Sequence, residues 1–314
     1  MIMRSEDIIG EKVFSKQGKY FSEEEGPFGV LHQIMPLRLL WLLGVIEERR
    51  LKERSGVADK GDVGSFKDVS AVSSGLDEAL THSSGAQQTD DMFLNAEDPW
   101  RCEIPAISLE GVRILDIGCG GGLMAEPLAR LGAHVVGIDA SSEALDVARA
   151  RAKCQGLMIE YRGGLLEDKV VKKGEVFDIV MAFEVIEHTM TPLNFLSQAA
   201  AHVKDWGVEK NTARKPQKGL QSGMLVLSTL DRTFSSYIKA ICVAESVGWV
   251  PCGAHDWKAF LAPQEVVLMA KILGFSILSY RGLHYAPFSR ASWKLSDKRS
   301  TNFFLSFVKE KRHP

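Results

Sequence analysis

The sequence predicts an α/β fold in which helices cover a doubly wound, mostly parallel sheet of seven strands. Short apolar segments alternate with helix-like segments from Gly111 onward, a pattern typical of parallel strands joined by crossover helices. A glycine-rich turn joins the first strand to the first helix. Acidic residues stand at or just after strand ends, at the edge where open α/β sheets bind ligands.

The predicted strands are apolar runs bounded by turn residues. They cover residues 112–117, 134–138, 158–161, 177–183, 224–228, 275–280 and 302–308. Helices are predicted over residues 123–131, 142–155 and 192–203, and a fourth is expected to begin at Glu184. The second helix has Ser142 at its start and Glu143 in its first turn, which favours its N-terminus.

Three further parts surround this sheet. Residues 1–51 are predicted to form an N-terminal helical cover, because an apolar helical pattern runs from about Met35 to Glu48. Residues 52–105 are rich in Ser, Gly, Asp and Lys and are expected to be a flexible insertion. The main domain, 106–314, includes a polar loop insertion at 205–222 and a less regular cap at 233–290.

Composition excludes several classes of protein. The chain has 314 residues and a net charge of −2, so no basic excess points to nucleic acid as a partner. Its five cysteines are odd in number and irregularly spaced, which disfavours a disulfide framework or a zinc site. The sequence has no apolar run of about 18 residues that could span a membrane. Residues 1–7 are interpreted as neither a secretory signal nor a clear mitochondrial presequence.

The turn Gly118-Cys-Gly-Gly-Gly122 allows the backbone to approach a ligand closely. A dinucleotide site requires glycine at the sixth position, where this chain has Leu123. Asp116 would repel a pyrophosphate but could accept a hydrogen bond from an amine, and Asp139 could bind ribose hydroxyls. These features favour S-adenosylmethionine over NAD. The predicted cofactor-binding residues are Asp116, Gly118, Gly120 and Asp139.

The segment after the fourth predicted strand contains Glu184, Glu187 and His188. Their i, i+3 and i+4 spacing would place them on one helix face, where two carboxylates and an imidazole could bind a Mg²⁺-like ion. The alternative is that the glutamates are favoured by the helix dipole alone and that His188 packs under a loop. Phe183 could lie against an adenine or be an ordinary core aromatic.

The sequence resembles the ubiquinone-biosynthesis O-methyltransferases. The resemblance covers most of residues 18–51 and 106–310. Its motifs lie at 26–38, 115–122, 183–188, 228–233 and 250–257. The most specific are the Leu-His…Pro-Leu-Arg segment that ends at Arg38 and the Pro-x-Gly-x-His-x-Trp segment that ends at Trp257. Departures include Asp231 where the family usually has Asn, and Met35 in place of Asn.

The resemblance implies a Rossmann-like class I methyltransferase fold and specific residue roles. Arg38 joins the cofactor-binding residues, and Phe183 stands where the family often places a Met against the adenine. Glu184, Glu187 and His188 match the residues that bind a divalent ion, expected to be Mg²⁺. Glu184 and His188 are the implied catalytic residues, and His255 is an alternative general base.

The implied reaction transfers a methyl group from S-adenosylmethionine to ring hydroxyls of 3,4-dihydroxy-5-polyprenylbenzoate and demethylubiquinol. The resemblance also implies a multi-enzyme quinone-synthesis complex and a peripheral position on the matrix side of the mitochondrial inner membrane. The apolar segment 234–250 could lie in the membrane interface or pack over the site. Alternatives are a methyltransferase for another small phenol, an NAD-binding oxidoreductase and a catalytically silent adapter.

Overall fold

The computed structural model describes residues 29–55, 107–206, 220–233, 257–285 and 293–310. The predictions for residues 56–105, for 207–219, for the segment 234–250 and for His255 lie outside these ranges. No helix among the described residues is both long enough and apolar enough to cross a membrane. Cys119 and Cys154, which lie within these ranges, are both free thiols.

A single sheet forms the centre of the described structure. Its strands are β1 (Arg113–Ile117), β2 (His134–Asp139), β3 (Glu160–Gly163), β4 (Ile179–Phe183), β5 (Met224–Leu230), β6 (Phe275–Tyr285), β7 (Trp293–Ser296) and β8 (Asn302–Lys309). Their order across the sheet is β3-β2-β1-β4-β5-β8-β6-β7. The first five strands are parallel, whereas β8 runs antiparallel to β5 and β6.

This topology confirms the doubly wound, mostly parallel, Rossmann-like sheet. The chain moves from β1 outward to β3 and then returns to place β4 on the other side of β1, which creates a switch point between β1 and β4. The described sheet has eight strands, one more than predicted. The difference arises because β6 continues to Tyr285 and pairs with Trp293–Ser296 as an antiparallel edge.

The helices are α1 (Gly29–Ser55), α2 (Ala125–Arg130), α3 (Ser142–Cys154), α4 (Pro192–Ala201) and α5 (Pro263–Ile272). Helix α3 begins after Ser141, whose side chain accepts a hydrogen bond from the Ala144 amide at 3.1 Å. Pro192 and Pro263 stand at the first positions of their helices, where the missing N–H has no intrahelical partner to lose.

The prediction of a helix that begins at Glu184 is wrong. The chain instead forms a single 3-10 turn over Ile186–His188, and Glu184 precedes it with a φ of 55°. A left-handed residue cannot continue a right-handed helix. The three side chains therefore do not share one helix face.

Helix α1 packs along one face of the sheet and runs past residue 51, where the predicted cover ends. It buries a stripe of large apolar side chains against that face: Ile34, Met35, Leu39, Trp41, Leu42, Leu43, Val45 and Ile46. Trp41 also donates a hydrogen bond to Ser279 at 3.2 Å. The opposite face forms a second core with residues of α4 and α5. The predicted cover thus forms part of the helical layer on one face of the sheet.

Candidate functional site

Strand alternation places the polar side chains of the site on the face that α1 covers. Successive side chains of a strand point to opposite faces, so Asp116 shares a face with Ile114, and Ser228 shares one with Val226. Ile114, Val226 and Phe304 all belong to the core beneath α1. Asn302, two residues before Phe304, lies on the same side. The site therefore forms at the carboxyl ends of β1, β4 and β5, with the start of β8 beside them.

The glycine turn after β1 has the geometry of a close ligand approach. Gly118 has a φ of 71° and Gly120 one of 51°, a region that glycine enters without steric cost. A Cβ at Gly118 would lie 2.5 Å from the Val185 Cγ2 atom. Glycine is therefore required here both for the backbone angle and for the space beside the Glu184 segment.

Asp139 connects the second strand to this turn. One carboxylate oxygen accepts a hydrogen bond from the Gly120 amide at 2.8 Å, and the other accepts one from the Ser141 amide at 2.8 Å. Burial raises the pKa of Asp139, whereas these amide donors lower it. An ionised carboxylate has about four lone-pair positions, so both oxygens can still accept a donor such as a ribose hydroxyl.

Asp116 is a buried carboxyl group with an unused oxygen. Its side chain is 3% exposed, and its Oδ2 atom has no hydrogen-bond partner. Burial, followed by the charge of Asp139, raises the pKa of Asp116 to about 8. A cationic amine placed beside Oδ2 would supply both the missing hydrogen bond and the missing countercharge.

Arg38 extends from α1 into the same space. Its Nη2 donates to the Glu184 Oε1 atom at 2.8 Å, and its guanidinium lies 5.4 Å from the Phe183 ring centre and 5.9 Å from that of Phe304. Burial lowers the pKa of Arg38, and the charges of Glu184, Glu187 and Asp116 oppose that effect. The Nε–H of Arg38 has no partner and remains available to an anion.

Glu184 is held by hydrogen bonds that the sequence does not predict. Its amide donates to the Ser228 carbonyl at 3.0 Å. Its Oε1 atom accepts from Arg38, from the Ser228 hydroxyl at 2.7 Å and from the Asn302 amide at 2.8 Å. Burial alone would raise the pKa of Glu184, but Arg38 and these donors hold it below its ordinary value. Glu184 is therefore a largely buried carboxylate whose lowered pKa favours the ionised form.

Glu187 contrasts with Glu184. It is 4% exposed, and neither of its oxygens has a partner at hydrogen-bond distance. Burial, followed by the charge of Glu184, raises its pKa well above the ordinary value. Burial and the charge of Glu184 therefore favour the protonated form of Glu187, which could donate a hydrogen bond. His188 is half-buried at the end of the 3-10 turn.

The residues present fit S-adenosylmethionine. The unpartnered Asp116 oxygen suits an amine, the Arg38 Nε–H suits a carboxylate and the Asp139 oxygens suit ribose hydroxyls. The described residues do not fit the predicted Mg²⁺ site in this arrangement. They contain no group of three His, Cys, Asp or Glu side chains placed to hold a metal ion. The Arg38 guanidinium contacts the Glu184 Oε1 atom, and its positive charge would repel a Mg²⁺ ion placed there.

Comparison with known proteins agrees with this geometry. A family model described as a methyltransferase domain matches residues 115–208. A ubiquinone biosynthesis O-methyltransferase of Rickettsia conorii is 32% identical over 294 residues, which are 93% of this chain and 92% of that protein. The protein of the same name from Roseobacter denitrificans is 40% identical over 202 residues, covering 64% of this chain and 74% of its own. The chain belongs to the ubiquinone biosynthesis O-methyltransferase family.

This O-methyltransferase therefore uses S-adenosylmethionine as its methyl donor. Among solved structures, the magnesium protoporphyrin IX methyltransferase of Synechocystis PCC 6803 with bound SAH aligns with a TM-score of 0.43 and 18% identity, over 78% of this chain and 83% of that one. Asp231, one of the positions where the sequence departs from the family pattern, is fully buried. It accepts hydrogen bonds from the Nε and Nη2 atoms of Arg299, the second at 2.8 Å, so Arg299 supplies the countercharge that the aspartate requires.

Sequence reasoning missed two residues of the methyltransferase site, Ser228 and Asn302. They lie 44 and 118 residues after Glu184 in the chain. A signal was present for each, since Ser228 ends an apolar strand beside the predicted β4 and Asn302 is the polar first residue of the last strand. Neither signal indicates which side chain it meets, because strand register decides that.

Proposed function

We propose that this methyltransferase acts on the ring hydroxyls of a polyprenyl catechol, with 3,4-dihydroxy-5-polyprenylbenzoate and demethylubiquinol as its acceptors. One observation supports this best: Glu184 is a largely buried carboxylate with a lowered pKa, on the same sheet face as Asp116 and next to the glycine turn. A carboxylate there can accept a hydrogen bond from a phenolic hydroxyl. The names of the relatives support the choice of acceptor class.

The donor side of the site is assigned as follows. S-adenosylmethionine, when bound, supplies an electrophilic methyl group on a sulfonium. Asp116 accepts a hydrogen bond from the amine, Arg38 donates its Nε–H to the carboxylate, and Asp139 accepts from the ribose hydroxyls. Gly118 and Gly120 leave room for backbone contact, and Phe183 lies beside them in an edge-to-face contact with Phe304, 6.4 Å between ring centres.

The acceptor side must orient a hydroxyl whose proton is hard to remove, since a free phenol has a pKa of about 10. Because the pKa of Glu184 is low, Glu184 is a weak base, and its role is to accept the hydrogen bond and fix the direction of the oxygen. His188 is proposed as the general base, because imidazole exchanges protons near neutral pH. Orientation of this kind can lower the barrier by roughly 7–11 kcal/mol.

A test of the acceptor class uses the purified full-length chain with S-adenosylmethionine and a short-chain prenyl dihydroxybenzoate. Mass spectrometry should detect one added methyl group on a ring oxygen. A matched monohydroxy compound controls for the second hydroxyl and should react far more slowly. Turnover of a simple soluble phenol at the same rate as the prenyl catechol would favour the alternative, an enzyme for another small phenolic acceptor.

The expectation of Mg²⁺ at Glu184, Glu187 and His188 stays a prediction. Binding would place a second cation beside Arg38, which pairs with the Glu184 Oε1 atom, and would require an ionised Glu187 although burial raises the pKa of that residue. Activity should therefore be measured after exhaustive chelation and again after Mg²⁺ is restored. Loss and recovery of turnover would support the ion, and unchanged turnover in chelator would exclude it from this reaction.

We also propose, from the resemblance alone, peripheral membrane association, membership of a quinone-synthesis complex and a place on the matrix side of the mitochondrial inner membrane. These three proposals concern different properties, so each needs its own measurement. Liposome flotation tests membrane association, with deletion of residues 234–250 as the matched variant. Cell fractionation tests the compartment, and native co-purification from that fraction tests the complex.

A further inference from the structure

We propose that Ser228 and Asn302 are positioning residues that aim the Glu184 carboxylate at the acceptor hydroxyl. This inference rests on the proposed function, because it takes the acceptor-orienting role of Glu184 from there. No contact of either residue with cofactor or acceptor is required. Their effect on the reaction passes through Glu184.

The backbone of Glu184 is strained. Its φ of 55° lies in the left-handed region, which costs a non-glycine residue free energy unless the surroundings compensate. The compensation comes from Ser228, whose carbonyl accepts the Glu184 amide at 3.0 Å while its hydroxyl donates to Oε1 at 2.7 Å. One residue of β5 thus fixes both the backbone and the side chain of Glu184.

The second contact comes from the antiparallel strand. Asn302 begins β8, pairs with Leu230 in register, and donates its amide to the same Oε1 atom at 2.8 Å. Ser228 is fully buried and Asn302 is 8% exposed, so water does not replace either donor easily. Two rigid strands therefore hold the oxygen from two directions.

All three donors, including Arg38, contact Oε1, and Oε2 receives none of these three bonds. A carboxylate held by one oxygen has a fixed plane, so the direction of its second oxygen is determined. We therefore assign that second oxygen, Oε2, to the acceptor hydroxyl. Loss of Ser228 or Asn302 would leave Glu184 ionised by Arg38 but free to rotate, and small errors in orientation are costly in rate.

The test is a double-mutant cycle on kcat. Ser228→Ala and Asn302→Ala should each lower kcat roughly tenfold to a hundredfold, the range of a hydrogen bond to a charged group. The dissociation constant for S-adenosylmethionine should change less than about twofold, because neither residue is among those that we assign to the cofactor. In a Glu184→Ala background, both substitutions should have almost no further effect, because residues that act through one group are not additive.

Ser306→Ala is the matched control. Ser306 lies on the same strand and the same face as Asn302 and is fully buried, but its hydroxyl has no hydrogen-bond partner, so it makes no hydrogen bond to Glu184. Its kcat should stay at the wild-type level. A loss equal to that of Asn302→Ala would mean that any polar deletion in β8 disturbs the site, and would overturn the proposal.

Two outcomes separate this inference from the proposed function. Failure of the wild-type chain to methylate any catechol would refute the proposed function, and the same cycle measured by urea unfolding would still test the contact network. Normal wild-type turnover with fully multiplicative effects of Ser228→Ala and Glu184→Ala would refute the positioning role. Weaker binding of S-adenosylmethionine with unchanged kcat would also refute it.

Discussion

Removing one partner of the largely buried pair of Arg38 and Glu184 should lower the free energy of unfolding. The perturbation is Arg38→Met, which keeps an unbranched stem but removes the charge and the donors. Wild-type Arg38 is 3% exposed and its Nη2 lies 2.8 Å from the Glu184 Oε1 atom. The variant leaves Glu184 as a carboxylate in a largely buried site without its countercharge.

The expected loss follows from the burial of both groups. Breaking a buried ion pair by removing one partner typically costs about 3–5 kcal/mol. Ser228 and Asn302 still donate to Glu184, and the Glu184 side chain is 19% exposed, so we expect the lower end, about 3 kcal/mol. Arg38→Met combined with Glu184→Gln should cost less than Arg38→Met alone, because no buried charge then remains unpaired.

The pH dependence has a definite sign. In the wild type the folded-state pKa of Glu184 lies below its unfolded value, so its contribution is present above the unfolded pKa of about 4.3 and is lost as the pH falls through the folded pKa. Without Arg38, burial dominates and the pKa of Glu184 should rise. A protonated Glu184 needs no countercharge, so the deficit of Arg38→Met should be largest near neutral pH and smaller near pH 5.

Urea unfolding followed by tryptophan fluorescence gives the free energy of unfolding by linear extrapolation. It should be measured near neutral pH and again near pH 5. Arg50→Met is the control on the same helix, since Arg50 forms a near-surface pair with Glu47 at 2.6 Å and should cost no more than about 1 kcal/mol. An Arg38→Met loss below about 1 kcal/mol, or one equally large at both pH values, would refute the reasoning.

Three further predictions concern single positions. Gly118→Ala should lower the free energy of unfolding by roughly 1–2 kcal/mol, because a left-handed φ costs that much for a residue with a Cβ. It should also weaken S-adenosylmethionine binding, because the new Cβ meets Val185 and the turn must shift; titration calorimetry checks this, and Val185→Ala should recover part of the loss of binding. Because the pKa of Asp116 is about 8, binding the amine near neutral pH should release close to one proton, which calorimetry in buffers of different ionisation enthalpy detects; Asp116→Asn should release none. Asp231→Asn should lower the free energy of unfolding by about 1–3 kcal/mol, because Arg299 loses a charged partner, while turnover stays near wild type; a large drop in turnover would instead place Asp231 in the site.

Local sequence patterns were sufficient for most of the sheet. The strand at 112–117 and the helix from Ser142 were predicted to within a few residues, because a buried parallel strand is a continuous apolar run and a helix start has its own capping chemistry. The eighth strand was missed, since Trp293–Ser296 is short and gains its conformation only by pairing with β6. Edge pairing of this kind has almost no local signal.

Local sequence patterns were not sufficient for the region around Glu184. The spacing of Glu184, Glu187 and His188 is helical, but the chain adopts a left-handed residue and one 3-10 turn there. Helical propensity is weak, and the tertiary contacts of Glu184 with Ser228 override it. The pKa values also depend on burial and on neighbouring charges, which spacing does not reveal: the pKa of Glu184 is lowered and that of Glu187 is raised although the residues are of the same type.

The sequence by itself determined the fold class, the glycine turn and the type of cofactor. These properties depend on periodicity and on residues adjacent in the chain: Leu123 in place of a third glycine, and Asp116 and Asp139 at two strand ends. Only the tertiary structure decided what Glu184 does, since its partners come from α1, β5 and β8, up to 146 residues away. Distances across a sheet depend on strand order and register, and a carboxylate responds to the nearest charges and donors whatever their place in the chain.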